Sequence, residues 1–232
     1  MSDGMPSSTS RECDPRLLSL AVHEFRTPAS VVGGYLRMLQ RDATLNERQR
    51  KMIDEAEKSC ARIVEIVQEL SDIGKAEAGT LELAREPLDI FLLAAEVAER
   101  VQEGRDRGVR FEVRGAGSGA RMLGDATRLR KACDAIFRAI LREKSGQTTV
   151  IAECRRVRFD GRTLALVIIA DEESVADAYD SPAGVLYEKR GGLGLALPLA
   201  RRVIERLGGE IWSPEPEGLQ RNAIVIRFPI TE

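Results

Sequence analysis

Between Asn46 and Gly74 the apolar residues Ile53, Ala56, Cys60, Ile63, Val67, Leu70 and Gly74 follow one another in alternating steps of three and four. That rhythm keeps one stripe of a helix apolar and marks a seam that packs on other helices. Upstream, Leu17, Ala21, Phe25, Pro28, Val32, Tyr35 and Leu39 recur at helical spacing. They follow Asp14-Pro15, a capping side chain with proline at the first helical position. Thr44-Leu45-Asn46 interrupts the pattern, and Asn46 is placed to cap the second helix. Two helices joined by a short turn make a hairpin. One hairpin leaves a wide apolar stripe in water, whereas a second copy buries it in a four-helix bundle. Packing of the stripe on the rest of the same chain is the alternative. Each large aliphatic side chain so buried contributes about 1.5–3 kcal/mol, so a charge at Val67 or Leu70 is expected to give monomer or unfolded protein.

After a short linker at Lys75 to Thr80 the pattern becomes mixed. Leu81-Glu82-Leu83 reads as a short strand, Asp89 to Gln102 as a helix, Val109 to Arg114 as a strand and Asp125 to Glu143 as a helix. Thr148 to Val157 and Thr163 to Ala170 read as strands around an Asp160-Gly161 turn. Gly192 to Leu207 reads as a helix entered through glycines, and Glu210 to Ser213 and Ala223 to Pro229 as closing strands. Helices interleaved with a mostly antiparallel sheet make an α+β sandwich. The expected organisation is a disordered tail over 1–13, the helical hairpin over 14–78 and the α/β sandwich over 79–232.

Composition narrows the function classes. The 232 residues carry 35 Lys+Arg against 37 Asp+Glu, a net charge of -2, which gives no support to a nucleic-acid partner. Cys13, Cys60, Cys133 and Cys154 are scattered without metal-ligand spacing and read as reduced thiols. No apolar stretch has the length of a membrane span, and Met1 to Ser10 lacks a signal-peptide pattern. The expected location is cytoplasmic.

His23 is the single histidine of the chain and lies in His23-Glu24-Phe25-Arg26-Thr27-Pro28. Glu24 can accept a proton or hold one ring nitrogen. Thr27 shares the helix face of His23, four positions on. Pro28 removes the backbone donor to the carbonyl of Glu24, which loosens the helix just beyond the histidine. A lone histidine is by default an incidental side chain, but these neighbours look arranged for chemistry. The run closely resembles the phosphoacceptor box of two-component sensor histidine kinases. That resemblance implies His23 as the phosphorylation site, Glu24 as proton acceptor or ring-orienting partner, and Thr27 as the residue placing water for dephosphorylation of a partner.

The second half is similar to the ATP-binding domain of the same family, a fold shared with gyrase and Hsp90-type ATPases. The resemblance rests on Gly192-Leu193-Gly194-Leu195-Ala196-Leu197 and on Leu207-Gly208-Gly209-Glu210-Ile211. In the family the glycine loop lies against phosphates at a helix N-terminus, where free N–H groups favour anions. The resemblance places Asp171 at the adenine, and Gly192, Gly194 and Arg142 along the nucleotide. Other motifs depart from the family. Ala135 and Ala139 stand where it has two asparagines, the second of which supplies an oxygen to magnesium. Alanine offers no ligand, and Mg²⁺ demands near-ideal oxygen geometry. Glu143, one turn beyond Ala139, is a possible substitute. Glu173 and Val175 stand where glycines follow the adenine-reading aspartate. The stretch from Asp171 to Gly192 is short for the family, with Val185-Leu186-Tyr187 the remnant of its lid anchor. Phosphoryl transfer from ATP depends on positioning and on charge neutralisation by the metal, so ATP and Mg²⁺ are expected only if this altered site still binds.

The reading is a histidine-kinase-like phosphotransfer protein whose His23 exchanges phosphate with an aspartate on a response-regulator receiver domain. The homodimer is its working form, and an upstream kinase is a possible further partner. An active sensor histidine kinase and a non-catalytic pseudokinase docking module are the alternatives.

Overall fold

A computed structural model describes residues 15–42, 44–180, 182–214 and 223–231. The expected 1–13 tail, Cys13 and the Asp14 cap lie outside the described residues. The chain divides into two compact units between Thr80 and Leu81.

The first unit is a helical hairpin. Helix α1 spans Pro15–Gln40 and continues through Pro28. Helix α2 spans Glu47–Glu77, so the expected linker at Lys75 is helical through Glu77. Asn46 caps α2 in a reciprocal box. Its side chain accepts from the Gln49 N–H at 2.9 Å, and the Gln49 side chain accepts from the Asn46 N–H at 3.0 Å. Within the hairpin the heptad seam splits in two. Cys60 and Val67 are buried against α1, where the Cys60 thiol donates to the Ala29 carbonyl at 3.1 Å. Ala56 and Ile63, on the alternate positions, face outward, with Ile63 50% exposed. Phe25, Val32, Tyr35 and Leu39 of α1 are exposed as well. The buried face of α1 is instead Val22, Gly33 and their half-buried neighbours. Two apolar faces were superimposed in one sequence pattern; the hairpin uses one and leaves the other in solvent.

The second unit is a six-stranded sheet in the order β2-β4-β5-β8-β7-β6. The strands are β2 (Arg110–Gly115), β4 (Thr149–Phe159), β5 (Arg162–Asp171), β6 (Ala183–Gly184), β7 (Glu210–Pro214) and β8 (Ala223–Pro229). β2 and β4 are parallel and the other neighbours antiparallel. A separate two-stranded ladder joins β1 (Glu86–Asp89) to β3 (Arg121–Gly124). Leu81-Glu82-Leu83 is not a strand: the pairing goes to Glu86–Asp89, which has β3 as a partner, whereas Leu81 to Leu83 enters no ladder. The helices are α3 (Ile90–Arg100), α4 (Ala126–Arg142), α5 (Val175–Asp180) and α6 (Ala196–Arg206). α6 therefore starts four residues later than its glycines imply, because Gly192 and Gly194 hold positive φ of 62° and 65° in the loop before it.

The main core joins Phe91 of α3, Ile136, Phe137 and Ile140 of α4, Leu197 and Ile204 of α6, and Ile169 and Phe228 of the sheet, all essentially inaccessible. Phe111 meets Phe137 edge to face at 4.9 Å between centroids. Gly209 is dictated by this packing, since a Cβ there would stand 2.4 Å from the Phe228 ring. A second apolar cluster contains Ile151, Leu166, Ile168 and Val225, covered by Val175 and Ala178 of α5. Among the described residues no helix is long and apolar enough to cross a membrane.

Candidate functional site

The sequence singles out two places, one in each unit. On α1 the His23 and Glu24 side chains are open to solvent, 77% and 72% exposed, with Nδ1 3.8 Å from Oε1. That is outside hydrogen-bond range and inside reach of a small rotation. A proton on Nδ1 facing Glu24 leaves Nε2 with a free lone pair. The Thr27 hydroxyl turns back to the His23 carbonyl at 3.5 Å. It is exposed and lies on the histidine's side of the helix.

The same end of the hairpin holds a polar relay that sequence reading missed. The Arg26 guanidinium donates to the Gln68 side chain at 2.7 Å, and Gln68 donates to Asp72 at 3.0 Å. Asp72 is 5% exposed. Their spacing of four on α2 was the available signal.

In the second unit the predicted nucleotide residues gather where α4, β5 and the glycine loop meet. Asp171, at the end of β5, is ion-paired with Lys144 at 2.5 Å; the two side chains are 20% and 10% exposed. Its other oxygen, Oδ1, is buried without a hydrogen bond. Glu143 caps the C-terminus of α4. One of its oxygens accepts from Arg190 Nε at 2.5 Å and the other from the Gly191 N–H at 3.3 Å. The Arg190 guanidinium is 3% exposed and also donates to the Ala223 carbonyl at 3.3 Å. The loop over 190–192 lies directly on α4: a Cβ on Gly191, at φ 64°, would sit 2.7 Å from both Cα and O of Ala139. Ala135 and Ala139 are buried.

The remaining predicted residues are placed elsewhere. Arg142 turns to Glu103, donating at 3.2 Å. Val175 is buried in the cluster beneath α5, and Glu173 is exposed. Leu186 is buried between the exposed Val185 and Tyr187. Lys144 and Arg190 carried no sequence signal, because ion pairing over a separation of 27 or 47 positions has no local pattern. The thiols are inert: burial pushes Cys133 and Cys154 up to about 12. Among the described residues no group of three His, Cys, Asp or Glu side chains is set to hold a metal.

Comparison with known proteins gives these places a context. Residues 16–79 match the His Kinase A (phospho-acceptor) domain. The sensor protein GacS of Pseudomonas syringae pv. syringae is 28% identical over 207 residues, covering 82% of this chain and 22% of that protein. The aerobic respiration control sensor protein ArcB of Escherichia coli K12 is 25% identical over 214 residues, covering 87% and 27%. An uncharacterized sensor-like histidine kinase of Rhizobium meliloti is 25% identical over 232 residues, covering 96% and 44%. The chain thus spans less than half the length of these relatives. Full-length ShkA, crystallised in complex with AMPPNP, superposes with a TM-score of 0.67 at 23% identity, covering 94% of this chain and 46% of that one. The Acinetobacter baumannii histidine kinase AdeS gives 0.57 at 18%, covering 90% and 98%. At these identities the structures establish the fold.

Proposed function

Since residues 16–79 match the His Kinase A (phospho-acceptor) domain and most of the chain is similar to sensor histidine kinases, we propose that the chain belongs to the two-component sensor histidine kinase family and that His23 exchanges a phosphoryl group with the aspartate of a response-regulator receiver domain, while the ATPase-like unit is impaired in taking that group from ATP. The observation that carries the reading is the contrast in state between the two places. The His23 ring is presented to solvent, whereas Asp171 and Glu143 are each paired with a cation of the same chain.

In the transfer, the Nε2 lone pair of neutral His23 attacks the phosphorus of an aspartyl phosphate. The N–P bond forms as the P–O bond to the aspartate breaks, and the aspartate leaves as a carboxylate. Glu24, beside Nδ1, fixes the tautomer and steadies the positive charge that develops on the ring. The reverse step runs through the same groups. Thr27, with its hydroxyl on the same face, positions water for hydrolysis of the partner's phosphate.

Mg²⁺-ATP does not fit the residues present. Alanines 135 and 139 provide no oxygen for a metal, and the Glu143 carboxylate already accepts from Arg190 and Gly191. Lys144 already holds one oxygen of Asp171 in a pair that is largely out of water, which leaves Oδ1 alone to accept from an adenine amine. Glu173 adds negative charge beside that end of β5, whereas the neighbouring Glu172 is paired with Arg114 at 2.6 Å. In its dimer the outward residues Ile63, Phe25 and Tyr35 meet a second copy and complete a four-helix bundle. The proposed setting is the cytoplasm.

The test supplies labelled phosphoryl donors to the full chain. A phosphorylated receiver domain is expected to label wild-type protein, and His23→Ala to abolish the label. Mg²⁺-ATP alone is expected to leave the chain unlabelled. Label from ATP at low micromolar concentration would favour the active-kinase alternative, and receiver-derived label persisting in His23→Ala would remove the site assignment.

A further inference from the structure

The turned end of the β4–β5 hairpin is the most concentrated patch of positive charge outside the two places described. Arg155, Arg156, Arg158 and Arg162 lie within eight residues, with Asp160 as the one acid. Arg155 is ion-paired with Glu153. Arg156, Arg158 and Arg162 are exposed and make no ion pair or side-chain hydrogen bond among the described residues. Phe159 is 62% exposed although it sits between them. One side of its ring is covered by Arg227, whose guanidinium is 5.5 Å from the Phe159 centroid and 5.3 Å from that of Trp212. The turn itself is set by positive φ at Asp160 and Gly161, 49° and 73°, the two-residue geometry that matches the twist of the flanking strands.

Arg162 lies opposite Phe159 across the ladder, while Arg156 and Arg158 stand on the other face of the ribbon. The tip thus carries uncompensated guanidinium groups on both faces beside one open phenyl ring, which calls for a polyanion with an apolar layer beneath its charges. We propose that this tip docks on the phosphate headgroups of an anionic phospholipid bilayer, with Phe159 entering the acyl boundary and Arg156, Arg158 and Arg162 on the lipid phosphates. Reach separates this surface from duplex nucleic acid. β2 pairs with β4 only as far as Cys154, and β8 accompanies β5 to Leu164, with the Ile230 N–H on the Thr163 carbonyl. The part free on both edges is the pairs Arg158↔Thr163 and Phe159↔Arg162 plus the turn. That is about 7 Å of ribbon, short of the ~8.5 Å depth of a major groove. A flat surface needs no such depth. Arginines near an anionic membrane each strengthen binding by about fivefold, so the three together give about a hundredfold, falling with salt. The inference uses no residue of the phosphotransfer reading and stands or falls separately from it.

The test is co-sedimentation of the full chain with vesicles of equimolar phosphatidylglycerol and phosphatidylcholine, and with pure phosphatidylcholine vesicles, at low and high salt. Wild-type protein is expected on the anionic vesicles at low salt only. R156Q/R158Q/R162Q should lower that partition by about a hundredfold, with melting temperature unchanged because these three side chains have no ion-pair or hydrogen-bond partner, and Phe159→Ser, which gives up the contact with Arg227, by several-fold. R41Q/R48Q/R85Q, which removes the same charge from exposed positions elsewhere, should bind nearly as wild type. Equal binding of wild type to both vesicles, or an undiminished triple tip variant, overturns the proposal. Displacement by polyglutamate at matched charge would assign the tip to an acidic protein, and tighter binding to a DNA duplex would assign it to nucleic acid; either overturns it too.

Discussion

His23 and Asp171 are both singled out by the resemblance to sensor histidine kinases, and the chain treats them oppositely. His23 projects from one face of a helix with its nearest carboxylate 3.8 Å away, unconstrained and wet. Asp171 is drawn into a pair with Lys144 and left with a buried oxygen that has no donor. A residue that must meet a partner's active site has to be open. A carboxylate that folds into a half-dry strand end is stabilised by the cation the fold brings near. The difference teaches that keeping a motif residue is weak evidence for keeping its ligand, and that the groups paired with it decide.

The largest effect that sharpens this contrast belongs to the hairpin. Val67→Asp places a charge against α1 at a position 7% exposed, costing several kcal/mol. Loss of the helical signal in circular dichroism is the expected result. Ile63→Asp, on the outward face, should leave the helices intact and shift the mass by light scattering from dimer to monomer. If the two variants behave alike, the split between inward and outward seams is wrong.

Next comes the nucleotide side. Glu143→Ala takes the carboxylate from the buried Arg190 cation, which also donates to the Ala223 carbonyl. The carboxylate is itself 36% exposed, so the cost is about 2 kcal/mol rather than the larger value for a fully buried pair. A fall of roughly 6 °C in Tm is expected by calorimetry. A variant as stable as wild type but altered in metal-dependent nucleotide binding would show that Glu143 serves a metal instead.

Thr27→Ala removes a surface hydroxyl and should leave folding and receiver-to-His23 transfer nearly unchanged. Loss of phosphate from the receiver should slow by about tenfold, followed as label over time. The smallest effect lies in the interhelical turn. The Thr44 N–H and hydroxyl bind the Asp42 carboxylate at 2.9 and 2.7 Å and hold its pKa below the ordinary 3.8. A lowered carboxylate pKa stabilises the fold above its unfolded value and is lost as pH falls through the folded one. Thr44→Ala should raise the Asp42 titration in carbon-detected NMR, with the change confined to pH below about 4.

Much of the fold was legible because its signals are local. The Asn46 box, the Asp89 and Asp125 caps and the Asp160-Gly161 turn fix their elements by side chain or φ alone. Leu81-Glu82-Leu83 was misleading because alternation shows what a strand's faces prefer, while pairing needs a partner elsewhere in the chain. The heptad in α2 was read as one surface because periodicity cannot separate a seam within a hairpin from one between copies. For the site, the His23 box was visible as six adjacent residues. The Lys144 and Arg190 pairs were not, since each is made by strand and helix ends that meet only in the folded unit.

The contact of Gly191 on Ala139 bears on how the loop can move. A Cβ at Gly191 would stand 2.7 Å from the Ala139 backbone, and Ala139 is itself fully buried. A side chain at 191 therefore has no room unless loop and helix part, so the glycine acts as a seat: whatever shifts this end of α4 carries the loop with it.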